Sequence, residues 1–168
     1  MTPLAEILRP KSLDEYIGQQ HLVGQGAVLR TLIDSGNIPS MIFWGPPGIG
    51  KTTLAMIISR TLNRPFHTLS AISSGVKEVR EVINQAQEEE GSILFIDEIH
   101  RFNNAQQDSL LGAVERGTIT LIGATTENPS FEVIRPPLCP CHLYVLKYVD
   151  SQDLMELLQG AMTQDVYP

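Results

Sequence analysis

The chain has 168 residues, 42% of them hydrophobic and 18% charged, which is typical of one soluble globular domain with a buried core. Its formal net charge of −7 argues against a broad basic surface for nucleic acid, although it does not exclude a local basic patch. No apolar run approaches the roughly 20 residues of a membrane span, and residues 1–11 show no secretory signal, so we expect a cytoplasmic protein that does not insert into a membrane.

Helices and strands alternate along most of the chain. Residues 1–25 are rich in turn-forming proline and glycine and predict an irregular arm, and residues 26–35 show helical spacing of apolar residues before Gly36. Further helices are expected at residues 51–62, 76–86, 103–115 and 151–162. Short apolar runs predict strands at residues 41–44, 66–71, 92–97, 118–124 and 142–146. This alternation predicts an α/β fold with a parallel sheet covered on both faces, and such sheets bind ligands at the carboxyl ends of their strands.

Residues 45–53, GPPGIGKTT, lie between the first predicted strand and a predicted helix and fit the pattern G-x-x-x-x-G-K-[ST]. Glycines let the backbone of such a loop curl so that several N–H groups point at phosphate oxygens, and the helix adds the positive end of its dipole. In this pattern Lys51 reaches the β- and γ-phosphates, and the Thr52 hydroxyl binds Mg²⁺. We call residues 45–53 the phosphate loop. Its predicted nucleotide-binding residues are Gly45, Pro46, Pro47, Gly48, Ile49, Gly50, Lys51, Thr52 and Thr53.

The apolar run at residues 92–97 ends in two adjacent carboxylates, Asp97 and Glu98, which we call the acidic pair. Asp97 can hold a Mg²⁺-bound water, and Glu98 can orient and deprotonate the water that attacks the γ-phosphate. A third polar strand end follows at residues 124–128, where a small side chain can hydrogen-bond the γ-phosphate or the attacking water, although this pattern alone is ordinary turn chemistry. The paired carboxylates favour water over a second substrate as the acceptor, which argues against a P-loop kinase.

Residues 136–146, PPLCPCHLYVL, place both cysteines of the chain, Cys139 and Cys141, next to His142. Cysteines separated by one residue form a poor structural disulfide, and a closed zinc site needs four ligands. The other histidines are scattered along the sequence at His21, His67 and His100. We therefore expect neither a disulfide nor a metal site in this stretch.

Five segments that together cover most of residues 4–146 carry a family resemblance. They are residues 8–24, 43–55, 73–80, 95–111 and 117–133. The most specific stretches are DEIHRFN and QQD within residues 97–108, and GATTENPSFE at residues 123–132. On these segments the sequence resembles the AAA+ ATPases and, within their clamp-loader-like branch, the family of replication-associated recombination proteins and Werner-helicase-interacting ATPases.

The resemblance implies the αβα sandwich of a P-loop NTPase, with the strand before the phosphate loop in the middle of a five-stranded parallel sheet. It implies an ATPase core at residues 26–149, preceded by an adenine-binding arm at residues 1–25 and followed by the start of a helical lid at residues 150–168. Thr126 aligns with the sensor position that reads the γ-phosphate, and it joins Lys51 and Glu98 as a catalytic residue. The arm residues that would hold adenine are Arg9, Pro10, Tyr16 and Ile17.

Two features depart from the family pattern. The family has Ser-Arg-Cys where this chain has residues 139–141, so Pro140 occupies the position of the arginine finger that acts on a neighbouring subunit's ATP site. Such an arginine contributes about 10³–10⁵ in rate in related NTPases, and its loss is either natural divergence or an error in the sequence. The chain also stops at Pro168, where the lid with a further arginine would begin, so we expect a truncated product. Arginines that could substitute for the finger are Arg135, Arg101 and Arg116.

The resemblance implies a Mg²⁺-dependent ATPase of DNA replication, recombination and repair that acts at stalled forks. In the intact family, forked or single-stranded DNA is bound mainly through parts absent here, subunits form homo-oligomers, and other replication and repair proteins are partners. One alternative is a nucleotide-binding module with little turnover, because the arginine finger and the lid are missing. Another is a branch-migration motor of the RuvB type, which shares residues 8–19 and 121–126 but fits residues 100–108 less well.

Overall fold

The computed structural model describes Leu13, Tyr16 and residues 18–126 and 142–146. Its helices are α1 (Gln20–Val23), α2 (Val28–Ser35), α3 (Lys51–Thr61), α4 (Val76–Gln87) and α5 (Asn104–Glu115), and a 3₁₀ helix spans Ile99–Arg101. Its strands are β1 (Met41–Trp44), β2 (Phe66–Ser70), β3 (Ser92–Asp97), β4 (Ile119–Thr125) and β5 (His142–Val145). None of the helices in these ranges is long and apolar enough to cross a membrane.

The bounds of β1 and β3 agree with the prediction. The bounds of the other predicted elements in the described ranges differ from the prediction by one or two residues at one or both ends. Helix α2 begins two residues later than expected because Gly26 has a left-handed backbone, with φ of 79°, and Ala27 is extended. The predicted helix at residues 151–162, the stretch at residues 139–141 and most of the N-terminal arm lie outside the described residues.

The five strands form one parallel sheet in the order β2-β3-β4-β1-β5. The prediction of an α/β fold with a five-stranded parallel sheet is therefore confirmed. The expected middle position of the strand before the phosphate loop is wrong, because β1 lies inside the sheet but β4 is the central strand. β2 and β3 extend the sheet beyond β4, whereas β5 lies on the other side of β1. The apolar pattern of a strand reports which faces it buries and not which strands are its neighbours.

Alternate residues along each strand build two separate cores, one on each face of the sheet. Phe43 of β1 belongs to the cluster that includes Leu54 of α3 and the buried residues of α2. The adjacent residue, Ile42, belongs to the other cluster, which includes Leu110 of α5 and the buried residues of α4. The sheet is therefore the middle of three layers, and both of its faces are covered by helices, as expected for a parallel sheet.

A four-residue helix, α1, lies inside the segment predicted as an irregular arm. It buries Leu22 and Val23, and His21 Nε2 lies 2.7 Å from the carbonyl oxygen of Val145 in β5. The helix was not predictable from apolar spacing, because four residues are too few to show a period of 3.6. Through these contacts the N-terminal segment is attached to the edge strand β5.

Helix α5 begins at Asn104 because Asn103 and Gln106 cap its first turn reciprocally. The Gln106 N–H donates to Asn103 Oδ1 at 2.9 Å, and the Asn103 N–H donates to Gln106 Oε1 at 2.7 Å. Gln106 Nε2 also donates to the carbonyl of Ser74 at 2.6 Å, which joins the start of α5 to the turn before α4. The capping residue, Asn103, lies two residues after the end of the 3₁₀ helix.

Gly123 in β4 is packed so closely that a methyl group has no room. A Cβ atom there would lie 2.7 Å from Ile99 Cδ1 and 2.8 Å from Ile42 Cδ1. We predict that Gly123→Ala lowers the free energy of unfolding by about 1–3 kcal/mol, because overpacking forces both isoleucine side chains out of their rotamers. Urea unfolding followed by circular dichroism measures this change.

Two further variants control the prediction. Ile42→Val removes one clashing methyl group, so it should cost less stability in the Gly123→Ala background than in the parent. Gly112→Ala in α5 should raise the free energy of unfolding by about 0.5–1 kcal/mol, because alanine loses less backbone entropy than glycine when a helix forms. Its new methyl group would lie 2.9 Å from Arg116 Nη1, at the end of an exposed and flexible side chain that can move aside. A Gly123→Ala chain as stable as the parent would contradict the packing described here.

Candidate functional site

The carboxyl ends of β1, β3 and β4 lie side by side at one edge of the sheet. β4 pairs with both β3 and β1, and Trp44 is in register with Thr125. The phosphate loop leaves β1 at this edge, the acidic pair ends β3, and Thr126 directly follows β4. The Gly45 N–H donates to the carbonyl of Thr125 at 3.1 Å. The structure therefore brings the three predicted motifs together, with the end of β4 between the other two.

Glycine is needed at three points of the phosphate loop for two different reasons. Gly48 and Gly50 have φ of 75° and 93°, in the left-handed region that favours glycine. Nothing lies within 4 Å of a Cβ built at Gly48, so the loop is open at that point. A Cβ at Gly45 would lie 2.9 Å from the carbonyl oxygen of Leu146, so this position requires close backbone approach. The curled backbone has the shape that a phosphate cradle needs.

The remaining loop residues divide into an anchor and an exposed rim. Ile49 is buried and belongs to the core cluster on the α3 face of the sheet. Pro47 and Thr52 are exposed, whereas Pro46 and Thr53 are half-buried. Because α3 begins at the next residue after the loop's last glycine, its unpaired N–H groups lie beside the open part of the loop.

Lys51 is buried at the first position of α3, and its amine donates hydrogen bonds back to the start of the phosphate loop. Lys51 Nζ donates to the carbonyl of Gly45 at 2.6 Å and to that of Pro46 at 3.3 Å. Burial lowers the pKa of Lys51, and the negative charges of Asp97 and Glu98 act in the opposite direction. The amine therefore lies within electrostatic reach of both members of the acidic pair.

The two carboxylates of the acidic pair have different environments. Asp97 is exposed at the end of β3, and its Oδ1 accepts a hydrogen bond from the Glu98 N–H at 3.0 Å. Glu98 is half-buried and has φ of 54° and ψ of 44°, a left-handed conformation that is costly for a residue with a side chain. Strained residues of this kind cluster at functional sites.

The oxygen ligands available at this edge of the sheet are compatible with Mg²⁺. Within the part of the chain that the structure describes, no group of three or more His, Cys, Asp or Glu side chains could hold a metal ion. Mg²⁺ in nucleotide sites is usually bound by one or two protein ligands together with water and substrate phosphates. An exposed hydroxyl on Thr52 and an exposed carboxylate on Asp97 fit that kind of site.

Thr125 and His100 connect β4 to the acidic pair. Thr125 is fully buried, and its Oγ1 lies 2.8 Å from His100 Nδ1. The other ring nitrogen, His100 Nε2, lies 3.1 Å from Glu98 Oε2. His100 was not predicted to have a role, although it stands two residues after Glu98 in the same motif. Thr126, the predicted sensor residue, is half-buried directly beyond Thr125.

Of the predicted adenine-binding residues, Tyr16 is brought to the phosphate loop. Its hydroxyl donates to the carbonyl of Gly50 at 3.4 Å, and its ring belongs to the core cluster on the α3 face. Arg9, Pro10 and Ile17 lie outside the described residues, so no contact is described for them. Of the arginines considered as substitutes for the finger, Arg101 and Arg116 are exposed, whereas Arg135 lies outside the described residues with Pro140.

Comparison with known proteins identifies the family. A family model described as the Holliday junction DNA helicase RuvB P-loop domain matches residues 8–139. The chain is 50% identical to Replication-associated recombination protein A of Haemophilus influenzae over 164 residues, which are 95% of this chain and 37% of that protein. It is 45% identical to the ATPase WRNIP1 of Dictyostelium discoideum, again over 95% of this chain but 19% of that protein. The resemblance inferred from the sequence is confirmed.

A solved structure shows the same fold. The Thermotoga maritima RuvB Holliday junction branch migration motor superposes with a TM-score of 0.75 and 32% sequence identity. The match covers 91% of this chain and 53% of that one. The chain therefore spans a minor part of the recombination proteins that it matches and about half of this motor.

The burial of Tyr16 generates a testable pH dependence. Burial raises its pKa from 10.0 to about 12, so between these values an unfolded chain loses the phenolic proton while the folded chain keeps it. This contribution to stability is fully present below about pH 10 and is lost as the pH rises towards 12, for a total of about 2–3 kcal/mol. We predict that the parent loses more stability than Tyr16→Phe between pH 10 and pH 12, measured by urea unfolding at each pH.

The control for this prediction compares the parent with Tyr16→Phe between pH 7 and pH 9. There the difference in unfolding free energy between parent and Tyr16→Phe should stay constant, because the phenol is neutral in both states. Parallel stability curves for the two proteins up to pH 12 would show that Tyr16 is not buried against the phosphate loop.

Proposed function

The chain belongs to the family described as the Holliday junction DNA helicase RuvB P-loop domain, and we propose that it binds ATP together with Mg²⁺ and hydrolyses it. The observation that carries this proposal is that the phosphate loop and the acidic pair both interact with Lys51. Its buried amine lies inside the curled phosphate loop and interacts with the charges of both Asp97 and Glu98. Cation, anion cradle and acidic pair are the parts that hydrolysis of a nucleoside triphosphate requires.

The phosphate loop binds the triphosphate. Backbone N–H groups of residues 48–52 and the positive end of α3 would face the phosphate oxygens, whereas Pro46 and Pro47 have no N–H and the Gly45 N–H is bonded to Thr125. The Lys51 ammonium has three donors, and two of them are used by the carbonyls of Gly45 and Pro46. The remaining donor can reach a phosphate oxygen while the loop keeps its shape, and its charge stabilises the leaving phosphates.

Thr52 and Asp97 are the residues that would hold Mg²⁺. When bound, the ion neutralises phosphate charge and orients the terminal phosphoryl group. Glu98 accepts the proton of the attacking water, and Thr126 donates its hydroxyl to the γ-phosphate. This role for Thr126 is supported by the strand order, because the end of β4 lies between the phosphate loop and the acidic pair.

The adenine end of the site is proposed on the family resemblance and on Tyr16. Tyr16 contacts Gly50, and Arg9, Pro10 and Ile17 belong to the same arm at residues 1–25. We also propose that this arm is followed by an ATPase core at residues 26–149 and by the start of a lid at residues 150–168. Pro140 at the finger position lowers turnover in an assembly of subunits, because it has no charge to place beside a neighbour's phosphates.

We place this ATPase in DNA replication, recombination and repair at stalled forks. The support is the 50% identity to a replication-associated recombination protein, against 32% to the RuvB branch-migration motor, which remains the second candidate. Forked or single-stranded DNA, other copies of the chain, and replication and repair proteins are the proposed partners. The compartment proposed is the cytoplasm.

Two substitutions separate binding from hydrolysis. Lys51→Ala should weaken ATP binding about 100-fold or more, because it removes a charged donor from the phosphates. Glu98→Gln should leave ATP affinity within a few-fold of the parent and lower kcat about 10²–10⁴-fold, because the amide cannot accept the proton. Calorimetry measures affinity and phosphate release measures turnover, with forked and single-stranded DNA added in parallel reactions.

The matched controls are Lys77→Ala and Glu81→Gln, which change exposed side chains of α4. Both controls should behave as the parent in affinity and turnover. Turnover by Glu98→Gln at the parental rate would remove Glu98 from the role of base. Tight ATP binding by the parent without measurable phosphate release, with or without DNA, would favour the nucleotide-binding module over the ATPase.

A further inference from the structure

His100 stands between the acidic pair and the end of β4. Its Nε2 lies 3.1 Å from Glu98 Oε2, and its Nδ1 lies 2.8 Å from Thr125 Oγ1. The His100 side chain is 10% exposed, and the Glu98 side chain is 23% exposed. Both ring nitrogens of one nearly buried imidazole are therefore engaged, one with the proposed base and one with the strand that precedes the proposed sensor residue.

The backbone holds His100 in this place. Glu98 turns the chain through its left-handed conformation, and the Arg101 N–H donates to the Glu98 carbonyl at 2.9 Å. Ile99 and Phe102, on either side of the turn, are buried in the core on the α4 and α5 face of the sheet. Because the turn is anchored on both sides, the contact between His100 and Glu98 is built into the fold at residues 98–102.

The chemistry of the three groups determines where the protons lie. A carboxylate can only accept hydrogen bonds, so the Nε2 atom that faces Glu98 carries a proton. In a neutral imidazole the Nδ1 atom is then an acceptor, and the Thr125 hydroxyl donates to it. His100 thus holds one oxygen of the Glu98 carboxylate, Oε2, and leaves the other oxygen of that carboxylate to accept a proton from water.

We propose that His100 is a positioning residue that holds the Glu98 carboxylate in the orientation needed to activate the attacking water. The inference rests on the proposed function, because it assigns His100 a task in the same hydrolysis. In the orientation held by His100, the charge of Glu98 already acts on Lys51. The carboxylate therefore lies within electrostatic reach of the phosphate loop, and the contact between His100 and Thr125 connects it to the strand end that precedes Thr126.

Substitution of His100 should change turnover and not binding. His100→Ala should lower kcat about 10- to 100-fold, since a misplaced base loses the near-attack geometry, and should leave KM and ATP affinity within about 2-fold of the parent. His100→Gln keeps a donor near the Nε2 position and should recover most of the lost kcat. His100→Asn keeps a polar group near the Nδ1 position only, so it should not recover the lost kcat. In the Glu98→Gln background, His100→Ala should cause no further loss.

The chain offers a matched control in a second histidine–glutamate pair. His67 Nε2 lies 2.7 Å from Glu89 Oε2, and the His67 side chain is 14% exposed. His67 belongs to β2, which β3 and β4 separate from the strand that leads into the phosphate loop. His67→Ala removes a comparable contact and should leave kcat unchanged. A parental kcat in His100→Ala, or equal losses in His100→Ala and His67→Ala, would overturn the positioning role.

NMR spectroscopy tests the contact between His100 and Glu98 without a measurement of ATP turnover. Proton–nitrogen correlation spectra of chain labelled with ¹⁵N-histidine should show the His100 ring with its proton on Nε2, and this signal should shift in Glu98→Gln but not in Glu81→Gln. An unchanged His100 signal in Glu98→Gln would overturn the inference. A parent chain that hydrolyses no ATP would instead overturn the proposed function, and the spectra would then decide on the His100–Glu98 contact alone.

Discussion

The position of β4 between β1 and β3 determines where each functional side chain lies. β4 pairs in parallel with both neighbours, so the ends of all three strands reach the same edge of the sheet. The hydrogen bond from the Gly45 N–H to the Thr125 carbonyl extends this pairing into the first residue of the phosphate loop. The loop and the acidic pair are thus held on opposite sides of Thr125 and Thr126, with the Lys51 amine within electrostatic reach of both carboxylates.

The unfavourable backbone conformation at this edge of the sheet is held in place by the two hydrophobic cores. Glu98 adopts a left-handed backbone at a cost of about 1–3 kcal/mol, and the turn that follows it is secured by buried Ile99 and Phe102. The phosphate loop is secured in the same way by Ile49 on the opposite face. Each of the two cores therefore supports one half of the site, and the sheet between them sets the spacing of the halves.

Much of this arrangement could be predicted from the sequence, because its signals are local. The apolar runs that form β1 and β3 end abruptly in glycine and in paired acids, so their bounds and the motifs after them were predictable. The order of the strands was not, because burial of both faces of a parallel strand leaves no trace of its neighbours. His100 could not be recognised as part of the site, since its partners, Glu98 and Thr125, meet it only through the sharp turn at Glu98 and the pairing of β3 with β4.

We propose that the phosphate loop and the acidic pair form one site, in which Thr52 and Asp97 would hold Mg²⁺. Isothermal calorimetry of ATP binding, with and without Mg²⁺, on the parent chain and on Asp97→Asn tests it most directly. We expect Mg²⁺ to strengthen ATP affinity in the parent and to have a much smaller effect in Asp97→Asn. A folded parent chain that binds no adenine nucleotide, or binds it equally well without Mg²⁺, would show that the phosphate loop and the acidic pair do not form such a site.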